Sequence, residues 1–242
     1  MLTGALSVVL LAIALYDAAV IIPALQHGKE LSSASKPYEL HPATPGATLL
    51  VVGDSTGVGT GAEDSADSLA GRLGTDLPEV RIDNLAADGA RTRDVLAQLA
   101  SAPLARFDAI LVQVGGNDAL RFTALEELAS DIDAVLEAAS RRSDCVTLMS
   151  TGDLGEAPAI PWPLDAVFSW RSRAVRDCFA TAAETHGADY VDLFTAADDS
   201  PFARAPDRYY AHDGLHLSGA GYGIWYQRLR AGSALPECLA RQ

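Results

Sequence analysis

The chain has 242 residues, of which 49% are hydrophobic, so it is long enough for one well-buried domain with a short tail and short for two domains. It carries 32 acidic and 18 basic residues, and the net charge of -14 makes nucleic acid a poor partner because like charges repel the phosphate backbone. The hydrophobic content also excludes a disordered acidic protein.

The first 26 residues are almost wholly apolar, with Asp17 as the only charge. As a helix rising about 1.5 Å per residue they would reach about 39 Å, enough to span a bilayer. The segment lacks the basic start of a secretory signal, and its one A-x-A pattern, at 12–14, falls inside the apolar run. We therefore predict an uncleaved anchor in a membrane of the bacterial inner-membrane type. The side of the membrane stays open, because the charges that follow nearly cancel.

The rest of the chain reads as a linker, an α/β domain and a tail. Residues 27–46 are polar and rich in serine and proline, as in a linker. Strands are predicted at 48–52, 80–85, 108–114, 145–149 and 190–193, and helices at 92–99, 125–139, 165–186 and 218–229. This alternation predicts a parallel sheet covered on both faces, with loops collected at the carboxyl ends of the strands. We predict a catalytic domain over 47–232 and a tail over 233–242.

The three cysteines are Cys145, Cys178 and Cys238, with no CxxC pair and no histidine nearby at metal spacing. Such an odd, scattered set predicts neither a disulfide framework nor a zinc site. We interpret them as buried or incidental thiols, whose redox state the sequence leaves open.

Distinctive polar or glycine-rich clusters stand where the predicted strands end. They are Gly53-Asp54-Ser55 after the first strand, residues 84–91 after the second, GGND at 115–118 after the third, and DGLHLSGAGY at 213–222 before the last helix. Convergence of these loops would unite a serine, a histidine with a carboxylate three residues earlier, an asparagine and exposed backbone amides. That is the equipment for acyl transfer. Taken singly, each of these residues could instead cap a helix or make a turn.

The four clusters, in this order and with the D-x-x-H spacing, resemble those of the SGNH hydrolases, the GDSL-type lipases, esterases and thioesterases. The likeness covers about 47–230, and GDST stands where the family has GDSL. It implies an α/β fold of the flavodoxin-like SGNH hydrolase type, which is a three-layer α/β/α sandwich on a five-stranded parallel sheet. The N-terminal apolar helix would be an addition to this fold. The resemblance also implies a serine esterase or lipase that needs neither a metal nor an organic cofactor.

The same resemblance assigns roles to five residues. Ser55 would be the nucleophile, His216 the base that takes its proton, and Asp213 the group that orients the imidazole. The backbone N–H groups of Ser55 and Gly89 and the side-chain amide of Asn117 would form the oxyanion hole. The expected substrate is a small-molecule, lipid or carbohydrate ester, or a thioester, of unspecified acyl length. The oligomeric state is open.

A loop over 151–164 follows the fourth predicted strand and is too rich in glycine and proline to be a helix. Its apolar side chains Ile160, Trp162 and Leu164 either line an entrance for an acyl chain or pack on the core beneath. An anchored enzyme could take an ester from the membrane, although an anchor does not by itself select a substrate.

Three other functions compete with the esterase. An acyltransferase would use the same acyl-Ser55 intermediate, and a non-catalytic binding module would use the same fold without turnover. A dinucleotide site is suggested by G-x-G-x-x-A at 57–62, with Asp83 near the place of a ribose-binding acid. Against the last of these, four residues separate the strand from the first glycine of that pattern.

Overall fold

The computed structural model describes residues 2–195 and 199–240. In chain order the helices and strands are α1 (Leu2–Ala34), β1 (Ala47–Gly53), α2 (Ser55–Val58), α3 (Leu69–Asp76), β2 (Val80–Asn84), α4 (Val95–Ser101), β3 (Ala109–Gln113), α5 (Gly116–Leu120), α6 (Leu125–Ser140), β4 (Val146–Met149), α7 (Leu164–His186), β5 (Asp189–Val191), α8 (Pro201–Arg204), α9 (Pro206–Tyr209), α10 (Gly219–Gly232) and α11 (Leu235–Ala240).

The five strands form one parallel sheet in the order β2-β1-β3-β4-β5. Side chains of β1 such as Leu50 and Val51 are fully buried, which is why the strand reads as a continuous apolar run rather than an alternating one. From β1 the chain first adds β2 on one side of the sheet and then β3, β4 and β5 on the other, so the topological switch point lies between β1 and β3. In open α/β sheets the crevice at such a switch point, beyond the carboxyl ends of the strands, is where ligands bind.

Helices cover both faces of the sheet and bury a hydrophobic core on each. One core joins the sheet to α3, α10 and α11, and the other joins it to α4, α6 and α7. On α6 the buried side chains recur at helical spacing, which directs one apolar stripe onto the sheet; they are Leu128, Ile132, Val135, Leu136 and Ala139. The predicted three-layer sandwich is confirmed.

Two segments differ from their predicted structure. Helix α1 continues to Ala34, so the first part of the predicted linker is helical, and Leu31 within it is half-buried. Within the predicted tail, residues 235–240 form helix α11, and its Leu235 and Leu239 are buried in the core. In both places a helix forms where the composition alone predicts a linker or a chain terminus, because side chains of the helix contact the domain.

A disulfide joins Cys145 to Cys238, with Cα atoms 6.5 Å apart across a sequence separation of 93, while Cys178 is a free, half-buried thiol. The interpretation of all three cysteines as buried or incidental thiols was therefore wrong for this pair. The bond forms because α11 returns to the start of β4. Spacing along the chain could not reveal that return, since the partners meet only through the tertiary fold.

The part of α1 over Leu10–Ala34 is long enough and apolar enough to cross a membrane, and none of its most apolar window is buried against the rest of the protein. A membrane anchor and a signal sequence both fit this finding. Either would account for the exposed side chains Leu10, Leu11 and Leu15.

Candidate active site

A cavity of about 780 Å³ lies at the carboxyl ends of the strands, and all five residues predicted for the site line it. Ser55 comes from the turn after β1, Gly89 from the loop after β2, and Asn117 from the first turn of α5 after β3. Asp213 and His216 come from the loop before α10. Four distant parts of the chain therefore converge as the strand-end positions predicted.

The turn after β1 delivers Ser55 to this cavity because the backbone crosses very close to β3. Gly53 has φ 143°, and a Cβ added there would lie 1.7 Å from the carbonyl oxygen of Gln113, so the position requires glycine. The Asp54 N–H then donates to that same carbonyl at 2.8 Å. These contacts end the strand, and Ser55 follows as the first residue of α2.

Asp54 stabilises the turn from the inside. One of its carboxyl oxygens accepts hydrogen bonds from the backbone N–H of Thr56 at 2.9 Å and from the Thr56 hydroxyl at 2.7 Å. The side chain is almost fully buried, and this burial raises the pKa of the Asp54 carboxyl to about 6 despite the two bonds. Asp54 thus caps the short helix that begins with Ser55.

His216 and Asp213 form a tight pair. His216 Nδ1 and Asp213 Oδ2 are 2.6 Å apart, and the other Asp213 oxygen accepts the backbone N–H groups of Leu215 and His216 at 3.0 Å each. Burial alone would raise the pKa of the Asp213 carboxyl, but the hydrogen bond and charge of His216, with the two backbone bonds, hold it below its usual value. An ionised Asp213 keeps a proton on Nδ1 and leaves Nε2 as the imidazole acceptor.

Ser55 and His216 line the same cavity, but no hydrogen bond connects them. Among the hydrogen bonds made by residues 2–195 and 199–240, none connects the Ser55 hydroxyl to the His216 ring. Catalytic hydrogen bonds are often long or poorly aligned before substrate binds and tighten in the complex with substrate.

Three hydrogen-bond donors of residues that line the cavity have no acceptor in the described part of the chain. They are the backbone N–H groups of Ser55 and Gly89 and the side-chain amide of Asn117. Unpaired donors that face a cavity can bind an oxygen that becomes negatively charged during a reaction.

Asp118, which the sequence analysis quoted without assigning a role, ties the loops behind these donors together. Its fully buried carboxylate accepts from the Thr92 N–H at 2.9 Å, the Thr92 hydroxyl at 2.8 Å and the Thr123 hydroxyl at 2.9 Å. Its position directly after Asn117 was the available signal. It fixes the loop after β2 relative to α5, and so Gly89 relative to Asn117.

Most of the remaining cavity wall is apolar. Ile160 and Leu164 line it, whereas Trp162 between them is 65% exposed and lies outside the lining. One part of the wall was missed entirely in the sequence analysis, namely helix α1, which lines it with Ile21, Ala24, Leu25, Gly28, Lys29, Ser32 and Ser33. Nothing in an apolar N-terminal segment distinguishes a helix that leaves the domain from one that runs back over its active site.

The dinucleotide alternative does not match the structure. Asp83 is engaged by Arg81 at 2.9 and 3.0 Å and by His41 at 3.1 Å, and the glycines at 57–61 lie in and after the four-residue helix α2 rather than at the start of a long one. Within residues 2–195 and 199–240, no group of three or more histidine, cysteine or acidic side chains could hold a metal ion.

Comparison with known proteins gives one family match and several structural matches. The model of the GDSL-like lipase/acylhydrolase family matches residues 51–224. No curated protein sequence matches the chain significantly. An α/β-hydrolase enzyme from the metagenome of Lake Arreo, Spain, is 21% identical, with a TM-score of 0.60 over 82% of this chain and 98% of that one.

Two further solved structures share the fold. An acetylxylan esterase from Geobacillus stearothermophilus is 19% identical, with a TM-score of 0.56 over 84% of this chain and 98% of the other. A lipase/acylhydrolase from Enterococcus faecalis is 22% identical, with a TM-score of 0.58 over 76% of this chain and 93% of the other. At these identities the likeness establishes the fold, and the family match carries the chemistry.

Proposed function

Because the chain belongs to the GDSL-like lipase/acylhydrolase family and is therefore an ester hydrolase, we propose that it cleaves carboxylic esters or thioesters through an acyl-Ser55 intermediate. The observation that carries this proposal is the 2.6 Å pair of His216 Nδ1 and Asp213 Oδ2 in the same cavity as Ser55. The three unpaired donors in that cavity support it.

In the first half of the reaction, His216 Nε2 takes the proton of the Ser55 hydroxyl while the oxygen attacks the ester carbonyl carbon. Asp213 stabilises the positive charge that develops on the imidazole. The former carbonyl oxygen becomes an oxyanion, which the N–H groups of Ser55 and Gly89 and the amide of Asn117 bind. His216 then returns the proton to the departing alcohol, and the acyl group stays on Ser55.

The second half repeats these steps with water. His216 takes a proton from the water as it attacks the acyl carbonyl, the same donors bind the oxyanion, and the acid leaves as Ser55 recovers its proton. An acyltransferase would differ only in delivering the acyl group to an acceptor other than water.

The test is turnover of p-nitrophenyl esters graded from acetate to palmitate by the full chain in detergent. We expect Ser55→Ala and His216→Ala to abolish most turnover, and Ser65→Ala, at an exposed serine outside the cavity, to leave it unchanged. A fluorophosphonate probe should label the wild type once and Ser55→Ala not at all. Undiminished turnover in folded Ser55→Ala would refute the mechanism. Labelling without hydrolysis would favour the acyltransferase, and neither labelling nor turnover would favour the binding module.

We also propose that α1 is retained as an anchor and that the catalytic domain lies on the oxidising side of the membrane. The support for the side is the Cys145–Cys238 disulfide, because disulfides persist in extracytoplasmic compartments and are rare in the cytosol. Alkylation of freshly isolated membranes under denaturing conditions should modify Cys178 alone until a reductant is added. Labelling of all three thiols without reductant would contradict the assignment. An amino-terminal peptide that maps after residue 26 in the membrane-purified protein would contradict retention.

A further inference from the structure

Arg121 stands at the end of α5, four residues after Asn117, and both residues line the catalytic cavity. The backbone N–H of Arg121 donates to the carbonyl of Asn117 at 3.0 Å. Side chains four residues apart lie on the same face of a helix, so Arg121 and Asn117 leave α5 on one side. An exposed arginine with no role in the reaction described above is therefore held next to one of the three proposed oxyanion donors.

The side chain of Arg121 also reaches the loop that supplies a second donor. Its Nη2 donates to the carbonyl oxygen of Gly89 at 3.3 Å, and that carbonyl accepts no other hydrogen bond from residues 2–195 and 199–240. One residue thus contacts Asn117 through its backbone and Gly89 through its guanidinium group. These are the two oxyanion residues that lie outside the turn of Ser55.

The local geometry of Gly89 is set by a β-turn over 87–90. The Ala90 N–H donates to the Ala87 carbonyl at 3.1 Å, and Gly89, the third residue of the turn, has φ 75°, as a type II turn requires. The direction of the Gly89 N–H within the turn is therefore fixed. What the turn does not fix is its own position relative to α5, which decides whether the Gly89 N–H and the Asn117 amide can bind one oxygen.

Two contacts set that position, one on each side of the loop. Behind it, the buried Asp118 carboxylate accepts the Thr92 N–H at 2.9 Å. On the cavity side, the turn is partly open to solvent, and Arg121 is the residue of α5 that holds it. Exposed turns with few buried contacts move readily, so loss of this second contact would leave the turn attached at its base only.

The charge of Arg121 adds to the effect of its position. The guanidinium has five N–H donors, of which one is used on Gly89, and within the described ranges it forms no ion pair with a carboxylate. Its charge therefore acts on negative charge that develops at the neighbouring oxyanion site. That charge is present in the transition state and absent from the bound ester, so the attraction should raise kcat more than it lowers KM.

We propose that Arg121 is a positioning residue of the oxyanion hole, which ties the turn over 87–90 to α5 so that the Gly89 N–H and the Asn117 amide face the same oxygen. Its positive charge favours that oxygen in its negative form. The inference rests on the proposed function, because it concerns the stabilisation of the intermediates formed on Ser55.

The kinetic test is Arg121→Met, which keeps much of the side-chain length and removes the donors and the charge at an exposed position. We expect kcat on a p-nitrophenyl ester to fall about tenfold, less than for the loss of a whole donor, with KM changed by less than about twofold. Affinity for an alkylboronic acid, whose anionic tetrahedral adduct with Ser55 resembles the intermediate, should fall by the same factor as kcat/KM.

The matched control is Arg93→Met, at an exposed arginine that pairs with Glu127 at 3.4 Å and is outside the cavity lining. It should leave kcat and the boronic acid affinity unchanged. Wild-type values of both in Arg121→Met would overturn the proposal. A rise in KM alone would also overturn it, by placing Arg121 in ground-state binding of the substrate.

A second measurement needs no turnover. In the full chain labelled with ¹⁵N-glycine and held in detergent micelles, the heteronuclear NOE of the Gly89 N–H reports its fast motion, and the signal is identified by its loss in Gly89→Ala. We expect this NOE to fall in Arg121→Met and to keep its wild-type value in Arg93→Met. Equal values in all three proteins would overturn the tie. A wild type inactive on every ester would refute the proposed function, while the NOE would still decide whether Arg121 holds the turn.

Discussion

Replacing Asp54 by asparagine isolates the energetic effect of the buried carboxyl next to Ser55. The asparagine side-chain oxygen can still accept both hydrogen bonds from Thr56, so the substitution removes the ionisation and leaves the turn in place. Burial is the largest cause of the raised pKa of Asp54, and a neutral amide does not carry that penalty.

The size and sign follow from the pKa in the two states. The carboxyl titrates at about 6 when folded and near 3.8 when unfolded, so between these values the folded state binds more protons. The wild type consequently loses stability as pH rises through this window, by about 3 kcal/mol in all and by about 1.4 kcal/mol between pH 5 and pH 7.5. Asp54→Asn escapes that loss, so its free energy of unfolding should rise relative to wild type by the same amount.

The assay is denaturant unfolding of the full chain in detergent at the two pH values, followed by tryptophan fluorescence. Asp144→Asn is the control, because that side chain is 93% exposed and its ion pair with Arg106, at 2.8 Å, lies on the surface, where such a pair contributes little to stability. A wild-type-to-Asp54→Asn difference that is the same at pH 5 and pH 7.5 would refute the reasoning. So would a difference that shifts in favour of wild type at the higher pH.

Three further outcomes test the site and its supports. Asn117→Ala should lower kcat by about a hundredfold to a thousandfold with little change in KM, because one oxyanion donor is removed; an effect on KM alone would place Asn117 in ground-state binding. Reduction of the bond between Cys145 and Cys238, or alanine at both, should lower the free energy of unfolding by up to about 4.6 kcal/mol for a loop of this size, and an unchanged denaturation midpoint would contradict this. Gly28→Val should lower kcat/KM roughly tenfold to a hundredfold, because the added side chain crowds His216 and Asp213. Gly223→Ala, where a Cβ meets only ordinary contacts, should leave kcat/KM unchanged. Equal activity of the two variants would mean that α1 does not pack on the site.

The architecture was largely predictable because its signals are local. Strands β1, β3 and β4 are short, largely apolar runs, and β1 follows Gly46 and ends at Gly53. The stripe of α6 repeats at helical spacing, so its side chains identify both the helix and its buried face. The short helices α3 and α11 were not predicted, since isolated helices of this length are marginal and form here through burial of residues such as Leu69 and Leu239.

The membership of the site was predictable for a related reason. In a parallel sheet the loops at strand ends meet at one edge, so chemically distinctive residues at those ends converge without further information. Ser55 and Asn117 follow predicted strands and His216 lies in the loop before the last predicted helix, and the resemblance to the SGNH hydrolases is what assigned their roles; all three line the cavity. Their catalytic roles stay predictions until the Ser55 and His216 variants are assayed.

The sequence by itself determined the five strands and the longer helices of the domain, the family, and which side chains reach the carboxyl edge of the sheet. All of these depend on residue type and on spacing over a few positions. The tertiary structure alone decided the Cys145–Cys238 bond and the passage of Gly28 over Asp213. Both contacts join parts of the chain that are far apart in sequence. They depend on where the terminal helices α1 and α11 pack against the domain, which local sequence patterns do not specify.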